Sequence, residues 1–167
     1  MPIRRATESD LDGIWAIFHE VVEAGDTFPH PPGTTREEAR EYWFAADKTT
    51  YVACDKEDGS EIVGAYYLRP NQVGLGSHVA NAGYIVRKDQ RGRGVGRALG
   101  EHSLAEAAAA GYRAMQFNLV VRTNTASVEL WKKLGFQIIG TLPGGFRHRE
   151  QGYVDAYVMY RELKAGK

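Results

Sequence analysis

The sequence predicts an α/β fold built on one mixed sheet, and two observations support this prediction. Residues 82–86 and 114–121 are uncharged runs typical of strands, and a stretch with apolar residues at helical spacing joins them. Two strands connected through a helix run parallel. In addition, residues 50–54 and 61–68 flank a polar turn, which is typical of an antiparallel hairpin. A length of 167 residues favours a single domain, residues 1–167.

The other elements follow from apolar spacing and from capping and turn residues. Before the parallel pair, the predicted elements are a strand at residues 3–6, a helix capped by Thr7 and Asp10 and ended by Gly25, a helix from Arg36 to about residue 46 capped by Thr35, and a hairpin turn at residues 55–60. From the first parallel strand onward, they are a helix beginning at about Gly94, a helix at residues 125–134 closed by Gly135, and two strands at residues 136–142 and 153–160 around a polar loop at residues 144–152.

Composition narrows the possible partners and the compartment. Lys plus Arg (21) balances Asp plus Glu (21), so the chain lacks the broad basic face expected of a nucleic-acid-binding protein. The first residues contain no apolar signal core, and no uncharged apolar run approaches membrane length, which predicts a cytoplasmic protein without a membrane partner. The single cysteine, Cys54, excludes an intramolecular disulfide and lies in a predicted strand as a buried thiol.

The loop between the first parallel strand and its helix holds three glycines and three arginines within residues 91–97. Glycines allow a ligand to approach the backbone closely, and the first turn of a helix leaves amide donors free. Together these features predict a site for a phosphate or pyrophosphate. A dinucleotide fingerprint fails because Arg97 or Leu99 stands where its last glycine would be, and no Gly-Lys-Ser/Thr ending forms a P-loop.

The remaining pattern, Arg91-x-x-Gly94-x-Gly96 after a strand that ends at Val86, resembles the acetyl-CoA pyrophosphate loop of the GNAT family of N-acetyltransferases. A second family element, NTASVELWKKLGF at residues 124–136, follows in the same order and spacing. The resemblance extends over the whole chain. It implies a mixed sheet whose central parallel strands separate to admit acetyl-CoA, and the family commonly forms homodimers.

The resemblance also implies which groups bind the cofactor. The pyrophosphate would lie on the amides of Arg91, Gly92, Arg93, Gly94, Val95, Gly96 and Arg97. The main chain around Ile85 and Val86 would pair with the pantetheine arm, and the Val86 amide would stabilise the oxyanion. Asn124 is typical of a helix N-cap, and by resemblance its side chain also faces the pantetheine arm.

Trp131 departs from the family pattern. Many members carry tyrosine at this position, where it protonates the departing thiolate, whereas tryptophan cannot supply a proton at neutral pH. Either the thiolate leaves without assistance or another group serves. Trp131 lies seven residues beyond Asn124, two helical turns along the same face, and is predicted to border the cofactor, with packing in the core as the alternative.

Three asparagines bear on the acceptor. Asn81, Asn118 and Asn124 keep a spacing that resembles fungal N-acetyltransferases acting on proline analogues. In those enzymes the first asparagine contacts the substrate near the reacting centre, and the other two serve the site and the cofactor, which implies a catalytic and substrate-binding role for Asn118. Asn118 is alternatively a solvent-facing strand residue. The loop at residues 26–32, which includes Phe28, resembles the specificity loop of phosphinothricin and methionine-sulfoximine acetyltransferases.

No decisive general base emerges from the sequence. His78 is a candidate, with a surface histidine as the alternative, and Tyr84 is a candidate for positioning a water molecule. His102 is predicted to pack inside the helix stripe. The arginines flanking His148 are candidates for contact with a substrate carboxylate or a second subunit.

The predicted function is direct transfer of the acetyl group from acetyl-CoA to a small-molecule amine, with an amino or imino acid as the expected acceptor. No acetyl-enzyme is expected. Two alternatives remain at this point: acetylation of a protein N-terminus, and a module that binds acetyl-CoA without catalysis. The bulky, proline-rich loop at residues 28–32 argues against the open groove that a peptide requires.

Overall fold

The computed structural model describes residues 1–55 and 58–164, which form seven strands and four helices. The strands are β1 (Ile3–Arg5), β2 (Thr49–Cys54), β3 (Ile62–Pro70), β4 (Val79–Val86), β5 (Ala114–Val121), β6 (Gln137–His148) and β7 (Gly152–Glu162). The helices are α1 (Leu11–Ala24), α2 (Arg36–Trp43), α3 (Val95–Ala109) and α4 (Thr125–Lys133). Among these residues, no helix has the length and apolarity needed to cross a membrane.

The strands form one sheet in the order β1-β2-β3-β4-β5-β7-β6. Every neighbouring pair is antiparallel except β4 and β5, which run parallel on either side of α3 in the sequence. Their pairing is limited to Val79 with Ala114 and Ala80 with Met115, after which the two strands diverge. The predicted mixed sheet with a separated central pair is therefore confirmed.

Each face of the sheet carries its own apolar core. On one face, α1 and α2 bury Phe18 and Trp43 against Val52 and Tyr67. On the other face, the core includes Leu99 of α3 and Trp131 of α4 together with strand residues such as Met115 and Phe117. Cys54 lies buried in the first core, and burial raises the pKa of its thiol, as expected for an unreactive side chain.

Local capping signals place most helix ends correctly. Thr35 accepts a hydrogen bond from the Glu38 amide at 3.2 Å, and the Glu38 carboxylate accepts from the Thr35 amide at 2.7 Å, which is a complete capping box. Gly25 ends α1 in the left-handed conformation with φ 63°. Helix α2 ends at Trp43, earlier than predicted.

The prediction of a polar loop at residues 144–152 is wrong. Strand β6 continues to His148 and β7 begins at Gly152, so the turn occupies residues 149–151. The pairing of β6 with β7 shifts register between Leu142 and Phe146, where β6 holds extra residues. Such a bulge interrupts the alternation on which strand prediction depends. The predicted turn at residues 55–60 includes residues 56 and 57, which lie outside the described part of the chain.

Candidate active site

A cavity of about 280 Å³ opens where β4 and β5 diverge. Its wall towards α1 and α2, here called the Arg69 side, consists of Thr27, Phe28, Pro29, Tyr42, Tyr67, Arg69 and Asn81. Its wall towards α3 and α4, the Trp131 side, consists of Tyr84, Phe117, Asn124, Ser127 and Trp131. The cleft therefore joins two chemically different surfaces across the gap in the sheet.

The main chain of β4 presents alternate residues to this cleft. The Arg87 amide donates to the Val63 carbonyl at 2.8 Å, and in an antiparallel ladder hydrogen-bonded pairs alternate with non-bonded ones. Ile85 consequently exchanges hydrogen bonds with Ala65 of β3, while Val86 directs its amide and carbonyl towards β5. Because β5 has moved away at this level, the Val86 amide has no β5 partner and points into the gap between the two strands. The two predicted main-chain contacts are thus not equivalent, since only Val86 points into this gap.

The glycine loop follows directly after Val86. Gly92 and Gly94 have φ angles of 75° and 86°, a region that other residues avoid. A Cβ atom at either position would meet nothing within 4 Å, so the backbone conformation requires glycine there, whereas space does not. Among the described residues, no acceptor takes a hydrogen bond from the amides of residues 92–97. Six neighbouring free donors at the start of a 15-residue helix fit a pyrophosphate.

Asn124 caps α4 as predicted. Its Oδ1 accepts from the Ser127 amide at 3.4 Å, and its Nδ2 donates to the Ser127 hydroxyl at 2.9 Å. Both residues line the cleft on the Trp131 side. The cap thereby fixes the position of a polar pair on the Trp131 side of the cleft.

Trp131 is a packing residue that also forms part of the cleft wall. Only 6% of it is exposed, and its ring centroid lies 4.6 Å from that of Tyr84 and 4.7 Å from that of Phe117. Gly100 of α3 leaves room for the indole, because a Cβ there would lie 3.0 Å from the ring. The core-packing alternative therefore describes its contacts.

Tyr84 directs its hydroxyl away from the cleft. The Tyr84 hydroxyl lies 2.7 Å from Ser103 Oγ and 3.7 Å from Met115 Sδ, and Ser103 Oγ lies 2.7 Å from the Gly100 carbonyl. Burial raises the pKa of Tyr84. Because the hydroxyl contacts Ser103 of α3 and not the cleft, the geometry does not support the candidate role of positioning a water molecule at the site.

Asn81 bridges the two strands at the point where they part. Its side chain is buried, with Nδ2 donating to the Gln116 carbonyl of β5 at 3.0 Å and Oδ1 accepting from Arg69 Nε at 3.2 Å. The last main-chain pairing between the strands is Ala80 with Met115, one residue earlier. The carboxamide therefore extends the ladder by one bond and orients Arg69 at the same time.

Asn118 lies at an irregularity of β5, between Phe117 and Val120. Its exposed carboxamide accepts from Gln116 Nε2 at 3.0 Å and donates to Asn71 Oδ1 at 2.8 Å. It lines the same cavity as Asn81. The residue is exposed, as the solvent-facing alternative predicts, and it also borders the cleft, so its role at the site stays a prediction.

Sequence reasoning missed Tyr42, Tyr67 and Arg69 on the Arg69 side, and Lys48 beside the two tyrosines. The Tyr42 and Tyr67 hydroxyls lie 2.8 Å apart, and burial raises the pKa of both. The Lys48 ammonium lies 3.2 Å from the centre of the Tyr42 ring, and burial lowers its pKa to about 8. Tyr67 lies over Gly83, where an added Cβ would come within 2.6 Å of the ring. Arg69 follows the predicted strand by one residue and carries no motif.

The cleft holds no conventional base among its described lining residues, which include no aspartate, glutamate or histidine. His78 is exposed and does not border the cavity. His102 packs as predicted, with Nδ1 2.8 Å from the Tyr66 hydroxyl. In the described part of the chain, no cluster of side chains is suited to bind a metal ion.

Comparisons with known proteins agree with this geometry. The sequence model of the acetyltransferase (GNAT) family matches residues 15–136. N-acetyltransferase aca1 of Schizosaccharomyces pombe is 32% identical over 165 residues, covering 90% of this chain and 79% of that protein. An L-methionine sulfoximine/L-methionine sulfone acetyltransferase of Pseudomonas paraeruginosa is 35% identical over 147 residues, covering 84% and 83%. The solved structure of a GCN5-related N-acetyltransferase from Kribbella flavida has a TM-score of 0.90 and 44% identity, covering 97% of both chains.

The separated β4–β5 pair and the amide-rich loop define an acyltransferase fold, and the chain belongs to the GNAT acetyltransferase family. The protein is accordingly an N-acetyltransferase. The alternative of a non-catalytic acetyl-CoA-binding module is set aside.

Proposed function

We propose that this enzyme transfers the acetyl group of acetyl-CoA directly to the amine of a small amino or imino acid. The observation that supports this acceptor class is Arg69, a guanidinium at the cleft beside Asn81 and an aromatic wall. Relatives include an acetyltransferase named for two amino-acid derivatives, L-methionine sulfoximine and L-methionine sulfone.

The cofactor fits the free donors of the chain. The amides of residues 92–97 would hold the pyrophosphate, and each hydrogen bond to a charged group contributes about 1.5–3 kcal/mol. The open main-chain edge of β4 at Ala82, Tyr84 and Val86 would pair with the pantetheine arm as an added strand pairs with a sheet edge. Asn124 would border the same arm.

The chemistry assigned to the chain is electrostatic. Bound acetyl-CoA supplies an activated thioester, and the Val86 amide is placed to stabilise negative charge on its carbonyl oxygen. Trp131 cannot donate a proton, so the thiolate leaves unassisted, consistent with the ordinary thiol pKa of about 8.5. Because the described cleft lining lacks a carboxylate or histidine, the acceptor amine loses its proton to solvent. Transfer is direct, and buried Cys54 carries no acetyl group.

Arg69 is suited to bind the carboxylate of the acceptor. Its Nε donates to Asn81, while its Nη1 lies 4.0 Å from Asp47, a distance too long for a hydrogen bond. The terminal nitrogens thus remain available for a planar carboxylate. The nearby rings of Phe28 and Tyr42 would cover the apolar part of a small acceptor.

The test compares Arg69→Ala with Arg36→Ala, which removes an exposed arginine paired with Asp12 on the protein surface. For proline analogues, phosphinothricin and methionine sulfoximine, Arg69→Ala should lower kcat/KM by about 10- to 100-fold, the value of one or two charged hydrogen bonds. For the amines that correspond to these acceptors without their carboxylate, kcat/KM should fall by less than about 3-fold, because no carboxylate contact is lost. Arg36→Ala should change neither.

Equal losses with and without the carboxylate would contradict the role of Arg69. Acetylation of an N-terminal peptide in preference to all the amino acids would instead assign the enzyme to protein acetylation.

A further inference from the structure

We infer that Arg149, in the turn between β6 and β7, is a positioning residue that fixes the wall of the acceptor pocket and thereby limits acceptor size. The inference rests on the proposed function, because it deepens the account of the same cleft. It concerns a contact between the β6–β7 turn and the end of helix α1. These two segments belong to opposite sides of the opening between β4 and β5.

The turn reaches the end of helix α1. The Arg149 amide donates to the Gly25 carbonyl at 2.9 Å, and its Nη1 donates to the Glu23 carbonyl at 2.7 Å. The last carbonyls of a helix lack partners within it and carry partial negative charge, so a guanidinium there is favourable. A residue from the distant edge of the sheet thus caps α1.

The fit of the two segments is close. A Cβ atom at Gly25 would lie 2.9 Å from Arg149 Cβ, closer than such atoms approach one another. Gly25 also has a φ of 63°. Glycine is therefore required twice at this position, once for the backbone conformation and once for contact with the turn.

The segment beyond Gly25 is the wall itself. Thr27, Phe28 and Pro29 line the cavity, and the far end of this loop is held by the Gly33 amide, which donates to the Glu23 carboxylate at 2.7 Å. Glu23 therefore connects both the loop and Arg149. Since β6 and β7 lie beyond β5, this contact sets the distance of the wall from the opposite side of the cleft.

The turn is shaped to present Arg149. His148 Nδ1 accepts from the amides of Glu150 and Gln151 at 3.1 and 3.2 Å, which orders the turn on either side of Arg149. Arg147, two residues away, is exposed and has no side-chain hydrogen bond among the described residues. The arginines of this segment were candidates for contacts with a substrate or a second subunit. Arg149 instead makes intramolecular contacts.

The experiment compares Arg149→Ala with Arg147→Ala in the full-length enzyme. Arg149→Ala should raise KM for the preferred amino acid by about 5- to 10-fold, with kcat and KM for acetyl-CoA within about 2-fold, the pattern of lost acceptor positioning. Its rate on bulkier amines relative to the preferred one should rise. Amide hydrogen exchange at Thr27 and Phe28 should be faster by about 10-fold, because the wall opens more readily. Arg147→Ala should leave all five quantities unchanged, and Arg149→Lys should recover part of the KM.

Unchanged hydrogen exchange and acceptor KM in Arg149→Ala would overturn the inference, as would equal effects in both alanine variants. Hydrogen exchange needs no substrate, so it decides the role of Arg149 even if no amino acid is acetylated. A failure to acetylate any amino acid would count against the proposed function alone.

Discussion

The glycine loop and the Arg69 side of the cleft are built in opposite ways. The loop is one contiguous segment, residues 91–97, and its six free amides depend only on local backbone conformation. The Arg69 side gathers side chains from the loop after α1, from α2, from β3 and from β4. A site made of contiguous backbone amides keeps its geometry when side chains are substituted. A site assembled from side chains of several elements changes shape when any residue packed against it is substituted. The first is therefore suited to an invariant cofactor group and the second to acceptor choice.

The largest effect should come from breaking the loop. Gly94→Ala places a side chain at φ 86°, which costs about 1–2 kcal/mol and displaces the amides if the loop relaxes. Loss of two charged hydrogen bonds would weaken acetyl-CoA binding by about 100-fold or more, measured by titration calorimetry. Gly111→Ala is the matched control, since Gly111 has φ 90°, equally open space and no place in the cleft. Equal weakening in both variants would show that general instability, not lost donors, is responsible.

A moderate effect confined to the acceptor should come from Asn81. Asn81→Ala leaves the Gln116 carbonyl without its donor and releases Arg69, so acceptor kcat/KM should fall by about 10- to 30-fold while KM for acetyl-CoA stays within about 3-fold. Asn81→Asp keeps an acceptor for Arg69 but cannot donate to Gln116. It should retain more acceptor activity than the alanine variant while losing stability to urea. Unchanged turnover in Asn81→Ala would refute the proposed role.

The smallest effect is expected at Trp131, on the wall of the cleft opposite Arg69. Replacement by tyrosine leaves space beside Gly100 and should lower the free energy of unfolding by about 1–2 kcal/mol, measured in urea. Trp131→Phe is the control, since it differs from Trp131→Tyr only by the absence of the hydroxyl. The kcat values of the two variants should agree within about 2-fold if the thiolate leaves unassisted. A kcat more than about 10-fold higher for tyrosine would show that an acid at this position assists departure.

The difference between the two regions also explains which predictions succeeded. Gly94 at the start of α3 and Asn124 at the start of α4 were recognisable because caps depend on a few adjacent residues. The end of β6 was not, because bulges between Leu142 and Phe146 break the alternation within the strand. The direction of the Tyr84 hydroxyl could not be predicted either, since it depends on contact with Ser103, which lies on helix α3 and not next to Tyr84 in the sequence.

The sequence by itself determined the family, the order of the strands and helices, and the anion-binding loop, because these depend on neighbours in the chain and on hydrophobic spacing. Only the tertiary structure decided that Arg69 joins Asn81 at the gap in the sheet, that Tyr42 meets Tyr67, and that the β6–β7 turn caps α1. These contacts link residues far apart in the chain, and no local pattern encodes such distances. The acceptor pocket is a product of the sheet's divergence, which brings those residues together.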